Sequence, residues 1–109
     1  MQKEVIVASG GRTAIGDFGG ALAAVSPTEL GATVIREVLA RAHVGGEEVG
    51  HVVFGNVIHT EPKDMYLARV AALEGGVGTH APALTLNRLC GSGLQAIISA
   101  AQADRKSVV

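Results

Sequence analysis

Cys90 is the residue of this chain best suited to chemistry. It is the only cysteine, and it stands in the run Asn-Arg-Leu-Cys-Gly-Ser-Gly at residues 87–93. A strand-like segment precedes this run and a helical pattern starts near Gly91, which predicts a thiol at the N-terminus of a helix. Unpaired N–H groups and the helix dipole favour negative charge there, so the thiol is expected to lose its proton readily and become nucleophilic.

A structural role for Cys90 is the alternative on these residues alone, because a lone cysteine is often a small buried apolar residue. The flanking glycines favour catalysis, since they let a substrate approach the backbone closely. Ser92 is expected to satisfy N–H groups of the first helical turn rather than to act as a nucleophile. Arg88 either stabilises a thiolate or faces solvent or a subunit partner, and these two interpretations stay open.

The histidines are weaker candidates for chemistry than Cys90. None lies in a pair spaced for zinc, and there is no second cysteine, so no metal site is predicted. One of them could serve as the base for Cys90, and His80 is the nearest in sequence. The four histidines are His43, His51, His59 and His80.

The loop Gly11–Gly16 has the glycine spacing of a phosphate-binding loop. Asp17 and Phe18 then stand where that motif requires a lysine and a hydroxyl residue. An acidic side chain at that position would repel phosphate, so nucleotide hydrolysis is not expected.

Alternating strand and helix patterns must position these residues. Ser26 and Glu29 predict a capping box at the start of the first helix, with Pro27 at its first position, and Gly45-Gly46 is expected to stop that helix. Strands that alternate with helices predict an α/β fold in which right-handed crossovers place three parallel strands in one sheet. The predicted strands are Val5–Ala8, His51–Ile58 and Ala83–Asn87, and the later helices are Asp64–Leu73 and the segment from about Gly91.

Composition and charge argue against several classes of protein. The chain has 109 residues and a net charge of −1 without a basic block, so neither nucleic acid nor an anionic membrane is an expected partner. The sequence has no signal-peptide core and no apolar run of membrane-spanning length. One cysteine permits no internal disulfide, which favours a cytoplasmic location.

Residues 87–96 resemble the nucleophile segment of thiolases, the acetyl-CoA acetyltransferases or β-ketothiolases. Three further stretches are similar in order and spacing, and together the resemblance covers about residues 3–103. These stretches are the loop at 12–20, the strand at 54–57 and the helix at 60–72.

The resemblance implies the N-terminal part of the five-layered αβαβα thiolase fold, with a parallel sheet core built from βα units. It implies that Cys90 attacks an acyl-CoA thioester and carries the acyl group, while its backbone N–H helps bind the oxyanion. A second acyl-CoA then condenses with the acyl-enzyme, and the reverse reaction cleaves a 3-ketoacyl-CoA. Coenzyme A thioesters are substrates, no metal or redox cofactor is required, and the intact enzyme is a homo-oligomer, either a dimer or a tetramer.

The family's later motifs are missing from this sequence. Thiolases carry Asn-Glu-Ala-Phe, Gly-His-Pro and a second cysteine, which include the base and the proton shuttle. The chain alone is therefore expected to be inactive. Residues 1–103 are assigned to an incomplete thiolase N-terminal domain, and 104–109 to a tail that departs from the family and that we hypothesise is not native sequence.

Two alternatives remain at this point. Ketoacyl synthases share the fold and a nucleophilic cysteine, although the loop at 12–16 and the run at 88–93 favour thiolase. The second alternative is a non-catalytic α/β interaction module, in which Cys90 has a structural role.

Overall fold

Helices and strands alternate along the chain in the computed structural model, which describes residues 3–106. The two strands pair in parallel, with Val52 opposite Ala83 and Gly55 opposite Leu86. This pairing confirms the predicted α/β class with a parallel sheet. The elements are α1 (Pro27–Ala42), β1 (Val52–Gly55), α2 (Leu67–Glu74), β2 (Ala83–Leu86) and α3 (Ser92–Lys106), with short 3₁₀ turns at Gly46–Glu48 and Pro62–Tyr66.

The predicted first strand, Val5–Ala8, is wrong: this segment has no regular structure, and residues 3–106 form a two-stranded sheet. Ile6 and Val7 are 75% and 86% exposed. A run of consecutive apolar residues suits a strand that is covered on both faces. Here a cavity of about 730 Å³ lies between this segment, β1 and α3, so the strand lacks both a hydrogen-bonding neighbour and a covering layer.

Helix α1 begins where the sequence predicts, because Ser26 Oγ accepts a hydrogen bond from the Glu29 N–H at 3.2 Å and Pro27 takes the first helical position. The predicted capping box forms only in part, since the Glu29 side chain makes no return bond to the Ser26 N–H. It ends at Ala42, a few residues before the predicted stop at Gly45-Gly46. His43 adopts a left-handed conformation with φ 55°, so the helix stops before Gly45-Gly46. Gly46 instead lies where the chain passes Gly76, and a Cβ there would overlap the Gly76 carbonyl oxygen.

The core lies between α1, α2 and one face of the sheet. Val52 is buried in it and Phe54 packs against it. Side chains alternate along a strand, so Val53 and Gly55 point to the opposite face, where α3 packs. The buried core cluster consists of Ile35, Val52, Ala68, Ala71, Ala72, Val77 and Ala81.

The later predicted elements are confirmed in place but are shorter or divided. The helix predicted over Asp64–Leu73 begins as a 3₁₀ turn and becomes α-helical only at Leu67. The buried residues of α2 are Leu67, Ala68, Ala71 and Ala72, whereas Leu73 and Glu74 are exposed. Within residues 3–106, no helix is long and apolar enough to cross a membrane. The last residues of the predicted tail, 107–109, lie outside the described part of the chain.

Candidate active site

Cys90 follows the carboxyl end of β2 and precedes the first residue of α3 by two positions. Its side chain is exposed and forms no disulfide. In α/β folds, ligands bind outside the carboxyl ends of parallel strands, which is where this thiol lies. The structure therefore places Cys90 beside a helix N-terminus and in reach of solvent, as the sequence pattern predicts. Its catalytic role stays a prediction.

The residue before the thiol has an unusual backbone. Leu89 has φ 46°, and His43 is the other non-glycine residue with positive φ within residues 3–106. Its N–H donates to Asn87 Oδ1 at 2.9 Å, and its carbonyl accepts from Ser92 Oγ at 2.7 Å. Side chains on both sides of Leu89 thus hold this turn.

Helix α3 begins directly on the sheet because Gly55 has no side chain. A Cβ at Gly55 would lie 2.7 Å from both the backbone carbon and the Cβ of Ser92, which is closer than real Cβ contacts. Ser92 itself is only 5% exposed. The absence of a side chain at Gly55 therefore fixes where the helix behind Cys90 starts.

The exposed Arg88 side chain reaches over the start of α3. Its Nη1 donates to Gln95 Oε1 at 3.2 Å on the exposed side of the helix. A role for Arg88 beside the thiolate stays a prediction.

The structure does not bring His80 to Cys90. His80 precedes β2, whereas Cys90 follows it, and a strand of this length alone spans about 13 Å. The imidazole Nδ1 lies 3.5 Å from Glu47 Oε2 instead. Of the four histidines, His59 is the one that follows the carboxyl end of β1, and no hydrogen bond joins it to the thiol.

The described residues 3–106 contain no cluster of three histidine, cysteine or acidic side chains that could hold a metal ion. The 730 Å³ cavity is also separate from Cys90, which does not line it. The exposed turn before α3 is therefore the candidate site.

Asp64 shapes the loop after β1, and the sequence analysis missed it. It is fully buried, and its Oδ2 accepts from the Thr60 hydroxyl at 2.8 Å and from the N–H groups of Thr60 and Glu61 at 2.9 and 3.1 Å. Burial alone would raise the pKa of this carboxyl. Hydrogen bonds from Thr60 and Glu61, with the charge of nearby His59, outweigh burial and hold the pKa of Asp64 below its ordinary value. Oδ1 has no partner.

The sequence also did not predict a structural role for Thr85. Its Oγ1 accepts from the Ala68 N–H at 2.9 Å, so a side chain of β2 satisfies the first turn of α2. Tyr66, the residue at the cap position of that helix, makes no such bond. The signal available for Asp64 was local: an acidic residue two positions after Pro62 is typical of a helix start. Nothing local marks Thr85, because its partner lies 17 residues away.

Comparison with known proteins places these features in a family. The thiolase N-terminal domain matches residues 5–106. The beta-ketothiolase BktB of Cupriavidus necator is 72% identical over 102 residues, which are 94% of this chain and 26% of that protein. An acetyl-CoA acetyltransferase of the same bacterium is 45% identical over 92% of this chain and 25% of its own length.

Solved structures agree with the sequence comparison. The crystal structure of the Bacillus anthracis acetyl-CoA acetyltransferase has a TM-score of 0.88 and 38% identity, over 94% of this chain and 26% of that one. The human mitochondrial 3-ketoacyl-CoA thiolase in complex with CoA has a TM-score of 0.81 and 37% identity, over 84% and 23%. The chain thus spans about a quarter of the length of the relatives it matches.

Proposed function

Because this chain belongs to the thiolase family, we propose that it is the nucleophile-bearing N-terminal part of an acyl-CoA C-acyltransferase and that Cys90 carries the acyl group. The observation that carries this proposal is the exposed thiol two residues before α3, at the carboxyl edge of a parallel sheet. The family match also favours a thiolase over a ketoacyl synthase.

The chemistry begins with the Cys90 thiolate attacking the carbonyl carbon of an acyl-CoA. The C–S bond to coenzyme A breaks, the CoA thiolate leaves, and a new thioester joins the acyl group to Cys90. The deprotonated α-carbon of a second acyl-CoA then attacks this thioester, which forms a 3-ketoacyl-CoA and releases the thiolate. Sulfur suits both steps because it is a good nucleophile and a good leaving group.

The backbone supplies a second element of the site. N–H groups at the start of a helix favour negative charge, and the N–H of Cys90 is suited to bind the oxyanion of the tetrahedral intermediate. These groups are held in place before substrate arrives, so they stabilise the transition state without reorganisation.

The remaining groups must come from elsewhere in a complete enzyme. His80 pairs with Glu47 rather than with the thiol, and Cys90 is the only cysteine available to move a proton. We therefore expect no turnover from the 109-residue chain alone. The complete enzyme would be a homo-oligomer acting on acyl-CoA substrates in the cytoplasm, where a free thiol stays reduced.

The decisive experiment uses the complete enzyme in the wild-type form and as Cys90→Ser. Incubation with acetyl-CoA should add one acetyl group to the wild-type peptide that contains Cys90, as mass spectrometry would detect, and none to the variant. Iodoacetamide should alkylate Cys90 faster than a free thiol, and acetyl-CoA should protect it. An unmodified Cys90 that alkylates like a free thiol would instead support the non-catalytic module.

The isolated 109-residue chain provides the complementary test. It should not cleave acetoacetyl-CoA in the presence of coenzyme A, whereas the complete enzyme should. A clear rate from the isolated chain would show that the catalytic groups are all present within it.

A further inference from the structure

The turn that presents Cys90 contains a backbone conformation that leucine does not favour. Left-handed geometry brings the Cβ of an L-residue too close to the following carbonyl oxygen, and Leu89 adopts it with φ 46°. Its side chain is 68% exposed, so packing of that side chain does not compensate. Polar contacts must therefore hold the conformation.

Ser92 provides two of these contacts from one atom. Its Oγ accepts from the Arg88 N–H at 2.8 Å and donates to the Leu89 carbonyl at 2.7 Å. The hydroxyl thus ties together the backbone on both sides of the Arg88–Leu89 peptide. Because Ser92 is 5% exposed and lies against Gly55, it has little room to move.

Asn87 supplies the third contact from the other side of the turn. Its Oδ1 accepts from the Leu89 N–H at 2.9 Å. Backbone bonds then close the turn, from Gly91 N–H to the Arg88 carbonyl at 3.0 Å and from Ser92 N–H to the Leu89 carbonyl at 3.0 Å. Cys90 lies between these anchored residues, so its direction depends on them.

We propose that Ser92, assisted by Asn87, is a positioning residue for Cys90: its buried hydroxyl holds Leu89 in the left-handed conformation and thereby presents the thiol and its N–H to the substrate. This inference rests on the proposed function for its catalytic consequence. Its structural content, the link between the Ser92 hydroxyl and the conformation of Leu89, is tested separately.

The test compares Ser92→Ala with Ser99→Ala in the 109-residue chain. Ser99 lies two turns further along α3 and accepts a hydrogen bond from Gln95, so it is a matched serine outside the turn. Amide hydrogen exchange resolved to single residues reports on the N–H groups of Leu89 and Gly91, neither of which bonds to Ser92 Oγ. Because Cys90 is the only cysteine, iodoacetamide alkylation reports on that thiol alone.

We expect Ser92→Ala to speed exchange at Leu89 and Gly91 and to slow alkylation, each by about fivefold, since one lost hydrogen bond is worth about 1 kcal/mol. Ser99→Ala should change neither, and the amides of α1 should keep their protection in both variants. Adding Leu89→Asn to Ser92→Ala should restore part of the alkylation rate, because asparagine tolerates the left-handed conformation better than leucine does.

Unchanged exchange at Leu89 and Gly91 in Ser92→Ala overturns the proposal. If that variant loses protection throughout the chain, the exposed Asn87→Ala decides instead: faster exchange at Gly91 supports the proposal, and unchanged exchange overturns it. A Cys90 that takes up no acetyl group from acetyl-CoA in the complete enzyme contradicts the proposed function, and it does so whatever the exchange at Leu89 shows.

Discussion

Polar side chains in this chain satisfy backbone groups that neighbouring secondary structure leaves open. Asn87 and Ser92 do so around Leu89, Asp64 does so in the loop after β1, and Thr85 does so for the start of α2. A buried N–H that loses its partner costs more than a hydrogen bond gains on average. Substitutions at these positions should therefore lower the free energy of unfolding more than substitutions of surface serines and threonines do.

Thr85→Val removes the acceptor for the Ala68 N–H while keeping the shape of the side chain. We expect a loss of about 1–3 kcal/mol in the free energy of unfolding, because the amide at this helix start is left without a partner. Urea denaturation followed by circular dichroism measures it. Thr33→Val is the matched control, since Thr33 Oγ1 lies on an exposed face of α1, where it donates to the Glu29 carbonyl and accepts a long bond from Arg36 Nη2. Equal losses of unfolding free energy in the two variants would contradict the role of Thr85 in capping α2.

Asp64 makes the stability of the chain depend on pH. Its pKa in the folded state lies below the ordinary value. The ionised carboxylate therefore stabilises the folded state above the unfolded pKa of about 3.9, and this stabilisation is lost as the pH falls through the folded pKa. The difference in unfolding free energy between wild type and Asp64→Asn should be largest near neutral pH and should shrink below about pH 4. A difference that grows on acidification would contradict this assignment.

At the scale of elements, the sequence predicted features that depend on a few consecutive residues better than features that depend on contacts between distant segments. The cap at Ser26, the buried helix after Asp64 and the thiol before α3 each depend on a few consecutive residues, and all three are present in the structure. Strand formation depends on partners elsewhere in the chain. The segment Val5–Ala8 has a strand-like sequence but finds no such partner within residues 3–106, so it remains irregular.

The same distinction explains what could be predicted of the candidate site. The motif around Cys90 predicted its place in the chain and its helix, because both are encoded within about ten residues. The left-handed Leu89 was not predicted, since leucine gives no signal for it and the buried Ser92 that holds it depends on Gly55, far away in sequence. Likewise, only the structure shows that the His80 imidazole lies beside Glu47.

Gly55→Ala tests the contact between α3 and β1. An added methyl group would overlap the backbone and side chain of Ser92, and overpacking of this kind costs about 1–3 kcal/mol. Gly50→Ala is the matched control just before β1, where a Cβ meets nothing within 4 Å. That control should be neutral or slightly stabilising, because alanine restricts the unfolded chain. Thermal unfolding measures both, and a neutral Gly55→Ala would show that α3 does not begin against the sheet.

At the scale of the whole molecule, apolar side chains cover surfaces that have no partner layer in residues 3–106. They lie on the N-terminal segment, on the glycine-rich loop and at exposed positions of α3. Contiguous exposed apolar surface and short sheets with free edges both favour association. The most exposed of these side chains are Ile6, Val7, Ile15, Phe18, Leu94 and Ile97.

The chain should therefore be marginally stable and should associate as its concentration rises. Leu94 and Ile97 are 64% and 62% exposed on α3, so replacing both with lysine should reduce association while leaving the helix content unchanged. Met65→Lys is the control, because Met65 is 61% exposed but lies on the 3₁₀ turn before α2. Sedimentation velocity over a range of concentrations separates the cases: wild type and Met65→Lys should sediment faster as concentration rises, and the double variant should do so less. A sharp melt of a monomer, independent of concentration, would show instead that the exposed face of α3 needs no partner.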